Sequence, residues 1–361
     1  MRVLVLVEDY PSKDGHEMMY VHVRNKYYAN RGIDVSVLNF RAKENYEYEG
    51  IKVITNDSYK QSNNNYYDVL ISHASNIKHH YRFIKKYHER FNKILFFYHG
   101  HEILKLSEVY PKDFSWIKKS WIKTKLRDCY DNLKFILWRK ELNKIIYKSE
   151  LIFVSNWIYH RFLYYVHLNP KTIENHVHII NNSVGEVFEK ESYDIKCDKE
   201  YDFITIRGSA LDKAKYGIDI VTKLARTNHK MKFLVVGKGD FYNHVDKPNN
   251  IEFINGYLKH DEMISYLNKS RCALLPTRQD TQGVMTCEMA TFGIPTITSD
   301  IEVCREIFED FKNVILISNE GSDKLDKIVI FLSKGLPYSK NEKYFAINTI
   351  EKELEIINRK Q

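Results

Sequence analysis

Short, almost unbroken apolar runs return along the whole chain, each closed by a glycine- or proline-bearing turn and followed by a segment of helical spacing. Residues 2–8 form the first run. A turn at Pro11, Asp14 and Gly15 leads to a helix predicted over residues 17–30, Gly32 ends it, and residues 33–38 resume as a strand. This is a βαβ unit, whose crossover is right-handed and whose loop lies at the carboxyl edge of a parallel sheet. Further strands are expected at 51–54, 69–72, 94–98 and 151–155. A second series follows at 203–206, 233–236, 251–254, 272–275, 295–298 and 314–317, with helices near 260–268 and 323–333. Two such series in 361 residues predict two α/β domains, each built on a doubly wound sheet.

Composition narrows the class. Hydrophobic residues make up 43% of the chain and aromatic ones 14%, enough for two cores and too much for a disordered chain. No run approaches the roughly 20 apolar residues of a membrane-spanning helix. Met1 leads directly into a strand, so no signal peptide is read and a cytoplasmic protein is expected. The five cysteines, Cys129, Cys197, Cys272, Cys287 and Cys304, fit neither a disulfide framework nor a zinc spacing. Cys287 adjoins Glu288 but reads as a buried residue on the inner face of its helix.

The formal net charge of +8 is unevenly spread, since residues 112–144 hold ten Lys/Arg against four Asp/Glu. Such an excess points to an anionic partner. Phe114, Trp116, Trp121, Phe135 and Trp138 stand in the same segment. Lysines beside tryptophans suit an amphipathic helix lying on an anionic membrane surface. They equally suit a helical pair whose aromatics enter the core of the first domain. No nucleic-acid-binding module accompanies them, so no nucleic-acid partner is expected.

The window 272–299, CALLPTRQDTQGVMTCEMATFGIPTITS, concentrates the chemistry. A short strand closed by Pro276 gives way to a polar loop, and Gly283 then opens a short helix that Gly293 and Pro295 stop. The first amides of such a helix are unpaired and its dipole favours negative charge, so the turn suits phosphate. Asp280 and Glu288 bracket it. Carboxylates beside an anion site suit a sugar whose hydroxyls donate to them. Alternatively, Asp280 caps the helix and Glu288 is a solvated face residue. In the first half, the strand at 94–98 runs into His99, Gly100, His101 and Glu102, from where two histidines are expected to point into a cleft. No further ligands stand at a zinc spacing. The turn at Gly237, Lys238 and Gly239 lacks the third glycine of a dinucleotide fingerprint.

Together these residues resemble the retaining glycosyltransferases of family 4, whose GT-B fold sets two Rossmann-like domains facing each other across a cleft. The family loop reads Glu-x7-Glu with Gly-Phe-Gly inside and Gly-x-Pro after it. Here Asp280, Glu288, Gly283, Gly293 and Pro295 take those places, with Asp for Glu, and with Thr281 and Gln282 for a glycine and an aromatic. Arg207, Gly208, Lys215 and Gly217 resemble the family's Gly-Arg and Lys-Gly, which bind the donor diphosphate. Residues 177–188, with Asn182, Val184 and Phe188, resemble its interdomain passage, and Glu306 matches the glutamate of a later loop.

The resemblance implies an acceptor-binding domain at 1–188, a nucleotide-sugar-binding domain at 189–340 and a helix at 341–361 that crosses back to the first. It implies transfer of a sugar from a nucleoside diphosphate, UDP- or GDP-linked, to a hydroxyl, with retained configuration and with neither metal nor cofactor. Arg207 and Lys215 would neutralise the diphosphate with the amides near Gly283 and Val284, while Gly208, Thr281 and Gln282 line the donor. Asp280 would hold sugar hydroxyls, Glu288 would accept from the ribose, and His99 would approach the reacting sugar from the opposite domain. Gly15 and His101 would lie on the acceptor side. The acceptor is expected to be a saccharide or lipid-linked saccharide of bacterial surface polysaccharide or glycolipid assembly, with residues 112–144 touching the inner face of the membrane. Rival readings are another GT-B activity such as a nucleotide-sugar epimerase, and a non-catalytic sugar-nucleotide-binding partner of a membrane assembly.

Overall fold

The computed structural model describes residues 1–361 except 14, 16, 63–65, 209–210, 321–324, 326–327, 331–339 and 360–361, together with the side chains of His260 and Asp261. Asp14 of the expected first turn and most of the expected helix at 323–333 therefore lie outside the described residues. The chain divides into two compact units. The first comprises Met1–Leu106, Trp121–Ser183 and Ala346–Gln361, and the second Ser107–Ser120 and Val184–Phe345. The division falls at Ser183 and not after residue 188, and a stretch from the first half of the sequence belongs to the second unit.

Among the described residues the first unit carries an eight-stranded sheet of β1 (Arg2–Val7), β2 (Asp34–Asn39), β3 (Tyr46–Tyr48), β4 (Ile51–Ile54), β5 (Val69–His73), β6 (Lys93–Tyr98), β7 (Ser149–Phe153) and β8 (Val177–Ile179). Their order is β3-β4-β2-β1-β5-β6-β7-β8. β1 pairs in parallel with β2 from Arg2 opposite Asp34 and with β5 from Val3 opposite Val69, whereas β3 is antiparallel to β4. Every residue of β5, β6 and β7 is buried, which is why these strands read as continuous apolar runs. β7 ends two residues before the expected limit because Ser155 caps the next helix, accepting from the Ile158 amide. Likewise the first helix begins at Met19, after Met18 adopts a left-handed φ of 56°. The strand order turns at β1, so the loops after β1, β5 and β6 open at the carboxyl edge where α/β sheets bind ligands. The last helix, Ala346–Asn358, buries Ile350, Leu354 and Ile357 in the same core as Val3, Val5 and Tyr28.

Among the described residues the second unit carries a six-stranded parallel sheet of β9 (Tyr201–Ile206), β10 (Phe233–Val236), β11 (Ile251–Ile254), β12 (Ser270–Leu275), β13 (Thr296–Ser299) and β14 (Val314–Ile317), in the order β11-β10-β9-β12-β13-β14. β9 pairs with β10 on one side and β12 on the other. The order reverses there, and the carboxyl ends of β9 and β12 carry Arg207 and the 276–283 loop.

The basic aromatic segment is not one continuous feature. Phe114 and Trp116 pack on the second unit, 5.1 and 5.7 Å from the Phe241 ring centre, and Trp116 stacks on His244 at 5.0 Å. The helix Trp121–Ile145 belongs to the first unit and buries Asp131, Lys134, Phe135, Trp138, Leu142 and Ile145. Phe135 and Trp138, each 4% exposed, are core residues, which decides for them between the two readings in favour of the core of the first domain; Trp121 is 66% exposed.

Candidate functional site

Arg207 follows β9, its amide donating to Val236 O at 2.9 Å. Its side chain lies inside the unit. Nη2 donates to Pro276 O at 2.8 Å, and Cζ is 5.3 Å from the Tyr216 ring centre. Nε has no acceptor among the described residues. Burial lowers the guanidinium pKa, while the nearby Asp280 charge acts the other way. A buried cation held this sparsely is costly to the chain alone.

Lys215 sits in a tight turn, Ala214–Tyr216, that ends at Gly217. Gly217 has φ +62°, and a Cβ there would meet Pro276 O at 2.9 Å, so the turn and the loop after β12 approach closely only with glycine. The two are fastened together. Lys215 O accepts from the Arg278 amide at 2.7 Å and from Thr277 Oγ1 at 3.0 Å. Arg278 grips Asp219 through bonds of 2.8 and 2.5 Å. Lys215 Nζ lies 4.5 Å from the Tyr216 ring centre, 4.8 Å from that of Tyr110 and 3.4 Å from the Tyr110 hydroxyl. Burial works against its charge, but Tyr216, Tyr110 and Asp280 outweigh it and the pKa is raised. Tyr216 thus lies against both cations.

Gly283, at φ 75°, opens the helix Val284–Phe292. Asp280 does not project away from this start: its Oδ1 accepts from the Thr281 amide at 2.8 Å, and a Cβ on Gly283 would stand 3.2 Å from Oδ2. The Asp280 charge also bears on Arg207, Lys215 and Tyr110. Val284 and Thr281 are half-buried at the loop, whereas Gln282 is buried with Nε2 directed at Cys287 Sγ, 3.9 Å away. Its side chain therefore supports the helix start from inside. The Cys287 thiol is buried and held well above its usual pKa by that burial, so it stays protonated. Glu288 is no solvated face residue. It keeps one face accessible, yet its surroundings push the carboxyl up to about 7, opposed by a bond from the Gly185 amide at 3.3 Å. Gly208, at φ +26°, holds Lys238 N through its carbonyl at 2.7 Å.

In the first unit, His99 Nε2 and His73 Nδ1 share a hydrogen bond of 3.1 Å, and Tyr20 meets the His99 ring at 4.7 Å. Burial first and the Arg24 charge second hold His99 well below the usual histidine range, so it is neutral near pH 7. One ring donates and the other accepts, which ties the two tautomers together. Glu102, buried, accepts from the His99 and Gly100 amides and fixes the turn. His101 is exposed and offers its carbonyl to Lys134 Nζ at 2.9 Å, so of the two flanking histidines only His99 turns inward. Gly15 closes a turn in which its carbonyl accepts from the Ser12 amide at 2.9 Å.

Sequence reasoning missed several residues here. Tyr216, next to Lys215, carried a usable signal. Tyr110, Arg278, Gly185 and His73 carried none, because their partners lie 105, 59, 103 and 26 residues away.

Two α/β units whose sheets turn at β1 and β9 define the GT-B fold, and solved structures agree. A glycosyltransferase from Rickettsia africae ESF-5 aligns with a TM-score of 0.66 over 98% of this chain and 97% of its own, at 14% identity. WaaG, described as a glycosyltransferase involved in lipopolysaccharide biosynthesis, aligns with a TM-score of 0.64 over 100% of both chains, at 13% identity. The family described as Glycosyl transferases group 1 matches residues 205–334, which include Arg207, Lys215, Asp280, Gly283 and Glu288. Two Escherichia coli proteins, each an O-antigen biosynthesis glycosyltransferase WclY, are 29% and 30% identical over 115 and 121 residues. The matches cover 29% and 31% of this chain and 31% and 33% of theirs, about a third of the curated relatives' length.

Proposed function

We propose that the protein is a retaining glycosyltransferase that moves a sugar from a UDP- or GDP-linked donor to a hydroxyl of a saccharide or lipid-linked saccharide in bacterial surface polysaccharide or glycolipid assembly. The observation that carries this is Arg207, a buried guanidinium whose Nε has no acceptor among the described residues, grouped with Lys215 through Tyr216. A diphosphate supplies the missing charge and acceptors. The family match and the O-antigen relatives support the same class.

In this reading the second unit binds the donor. Arg207, Lys215 and the first amides of the helix Val284–Phe292 stabilise the charge that grows on the diphosphate as it leaves, so the reading assigns no metal. Asp280 accepts from sugar hydroxyls and Glu288, when ionised, from the ribose. The anomeric carbon–phosphate oxygen bond breaks as the acceptor oxygen bonds that carbon on the same face, and the acceptor proton passes to the leaving phosphate oxygen. The first unit takes the acceptor, with His99 presented as a neutral imidazole and Gly15 in the loop after β1.

Among the described residues no helix is long and apolar enough to cross a membrane. Contact with a lipid-linked acceptor at the inner membrane face is assigned to the outer side of the helix Trp121–Ile145, where Trp121, Ile122, Leu126, Leu133 and Ile136 are exposed beside Lys123 and Lys125.

Labelled UDP- and GDP-sugars, incubated with and without lipid-linked saccharide acceptors, test the assignment. Transfer of label that requires acceptor is expected. Conversion of the donor without acceptor would mean an epimerase, and binding without turnover a non-catalytic partner. Pelleting with anionic vesicles at low salt, weakened by salt and by Trp121→Ala, is expected of the helix; no pelleting removes the membrane role.

A further inference from the structure

The segment Ser107–Ser120 lies in sequence between two stretches of the first unit but packs with the second. Phe114 and Trp116 fasten it to Phe241 and His244, and an Asp113–Lys119 ion pair closes its second half. This anchoring delivers Tyr110 to Lys215, with the hydroxyl 3.4 Å from Nζ and the ring centre 4.8 Å from it. An ammonium can only donate, so the phenol oxygen is the acceptor in that contact. Burial raises the Tyr110 pKa against the pull of Lys215, with Asp280 adding to the rise, so the hydroxyl keeps its proton. The same strap brings Lys119 within electrostatic reach of Lys213, itself beside Lys215. Tyr110 therefore stands where residues assigned to diphosphate and sugar converge.

We propose that Tyr110 is a donor-site residue whose hydroxyl donates a hydrogen bond to the diphosphate of the bound nucleotide sugar, and that residues 107–120 are the strap that carries it there. This rests on the reading that the second unit binds a nucleoside diphosphate. The strap makes one stretch of chain from the first half of the sequence part of the nucleotide site, and its two aromatic anchors hold it on the core of the second unit.

Calorimetric titration of UDP and GDP, with the matching phosphate-free nucleoside measured by competition, tests it on the wild type, Tyr110→Phe, Trp116→Ala and Glu288→Ala. Tyr110→Phe keeps the ring on Lys215 and removes the donor. The expected result is diphosphate affinity lowered roughly tenfold or more, the size of one hydrogen bond to a charged group. Nucleoside affinity and the melting temperature without ligand should stay unchanged. Trp116→Ala, which releases the strap, should weaken the diphosphate in the same direction. Unchanged or tighter diphosphate binding in Tyr110→Phe, or an equal loss for the nucleoside, overturns the proposal while Glu288→Ala still abolishes binding. If the wild type binds no nucleotide, or Glu288→Ala binds as well as wild type, the donor reading itself has failed.

Discussion

Arg24 and Arg207 are both buried, one in each unit, and they are held in opposite ways. Arg24 is enclosed by partners: Nε donates to Glu353 Oε1 at 3.0 Å, Nη1 to Tyr20 O at 3.0 Å and Nη2 to Asn182 Oδ1 at 2.9 Å, with the Phe97 ring centre 5.4 Å from Cζ. Through these bonds one side chain ties the first helix to the last and to the end of the passage toward residue 183. Arg207 has Pro276 O and the Tyr216 ring, and its Nε has no acceptor among the described residues. A buried charge that the chain satisfies is an element of the fold, whereas one left short is placed for something that arrives later. The same contrast separates Glu353, bonded to Arg24 and Tyr28, from Glu288, which among the described residues has one long bond from Gly185.

The largest effect expected from this contrast is on stability. Glu353→Ala leaves Arg24 buried without its counter-charge and should cost about 3–5 kcal/mol, read in the denaturant transition of the first unit. Replacing both partners, Arg24→Met with Glu353→Met, should recover much of that loss. If Glu353→Ala is neutral, the pair does not tie the last helix down and the contrast fails on its structural side.

The sequence exposed one side of this comparison better than the other. Strands buried on both faces were legible because their apolar runs are continuous, as in β5, β6 and β7. β3 and β8 were not, since each is three residues long and half exposed. Gly283 and Glu288 stood out because a glycine and carboxylates stand at fixed local offsets around a helix start, whereas Arg207 and Lys215 were singled out only by the family resemblance. The partners of Arg24 lie 158 and 329 residues away, and no local pattern announces them. The basic aromatic segment stayed open between two readings for the same reason. Composition is continuous across Ser120 and Trp121, while what divides them, Phe241 and His244 on one side and the first core on the other, is set by packing at long range.

A smaller effect sharpens the site itself. Gly217→Ala forces a left-handed alanine and brings its Cβ against Pro276 O, for a cost of about 1–2 kcal/mol from the backbone conformation alone. It should lower the melting temperature modestly and weaken nucleoside diphosphate binding by displacing Lys215. A variant that binds as tightly as wild type would show that the close approach of turn and loop does not position the lysine.

The smallest expected effect is one of pH. Glu288 has a carboxyl pKa raised from 4.5 to about 7, and in the proposed function ribose hydroxyls bind its ionised form. Affinity for a nucleotide sugar should therefore rise several-fold as pH increases from about 6 toward 8, binding releasing a proton at the lower pH. The raised pKa also means that whatever stability the protonated carboxyl gives the folded chain is present below about 4.5 and lost as pH rises through 7. Glu288→Gln should flatten the binding profile. Affinity that falls over the same range would assign the proton to another group.

The measurement that bears most directly on the contrast is a titration of UDP and GDP against wild type and Arg207→Met, with the melting temperature of each recorded without ligand. Removing a sparsely held buried charge should leave the free protein as stable or more so, and should weaken the diphosphate on the order of a hundredfold. Affinity equal to wild type, together with a large fall in melting temperature, would show Arg207 to be a structural residue like Arg24 and would contradict the account.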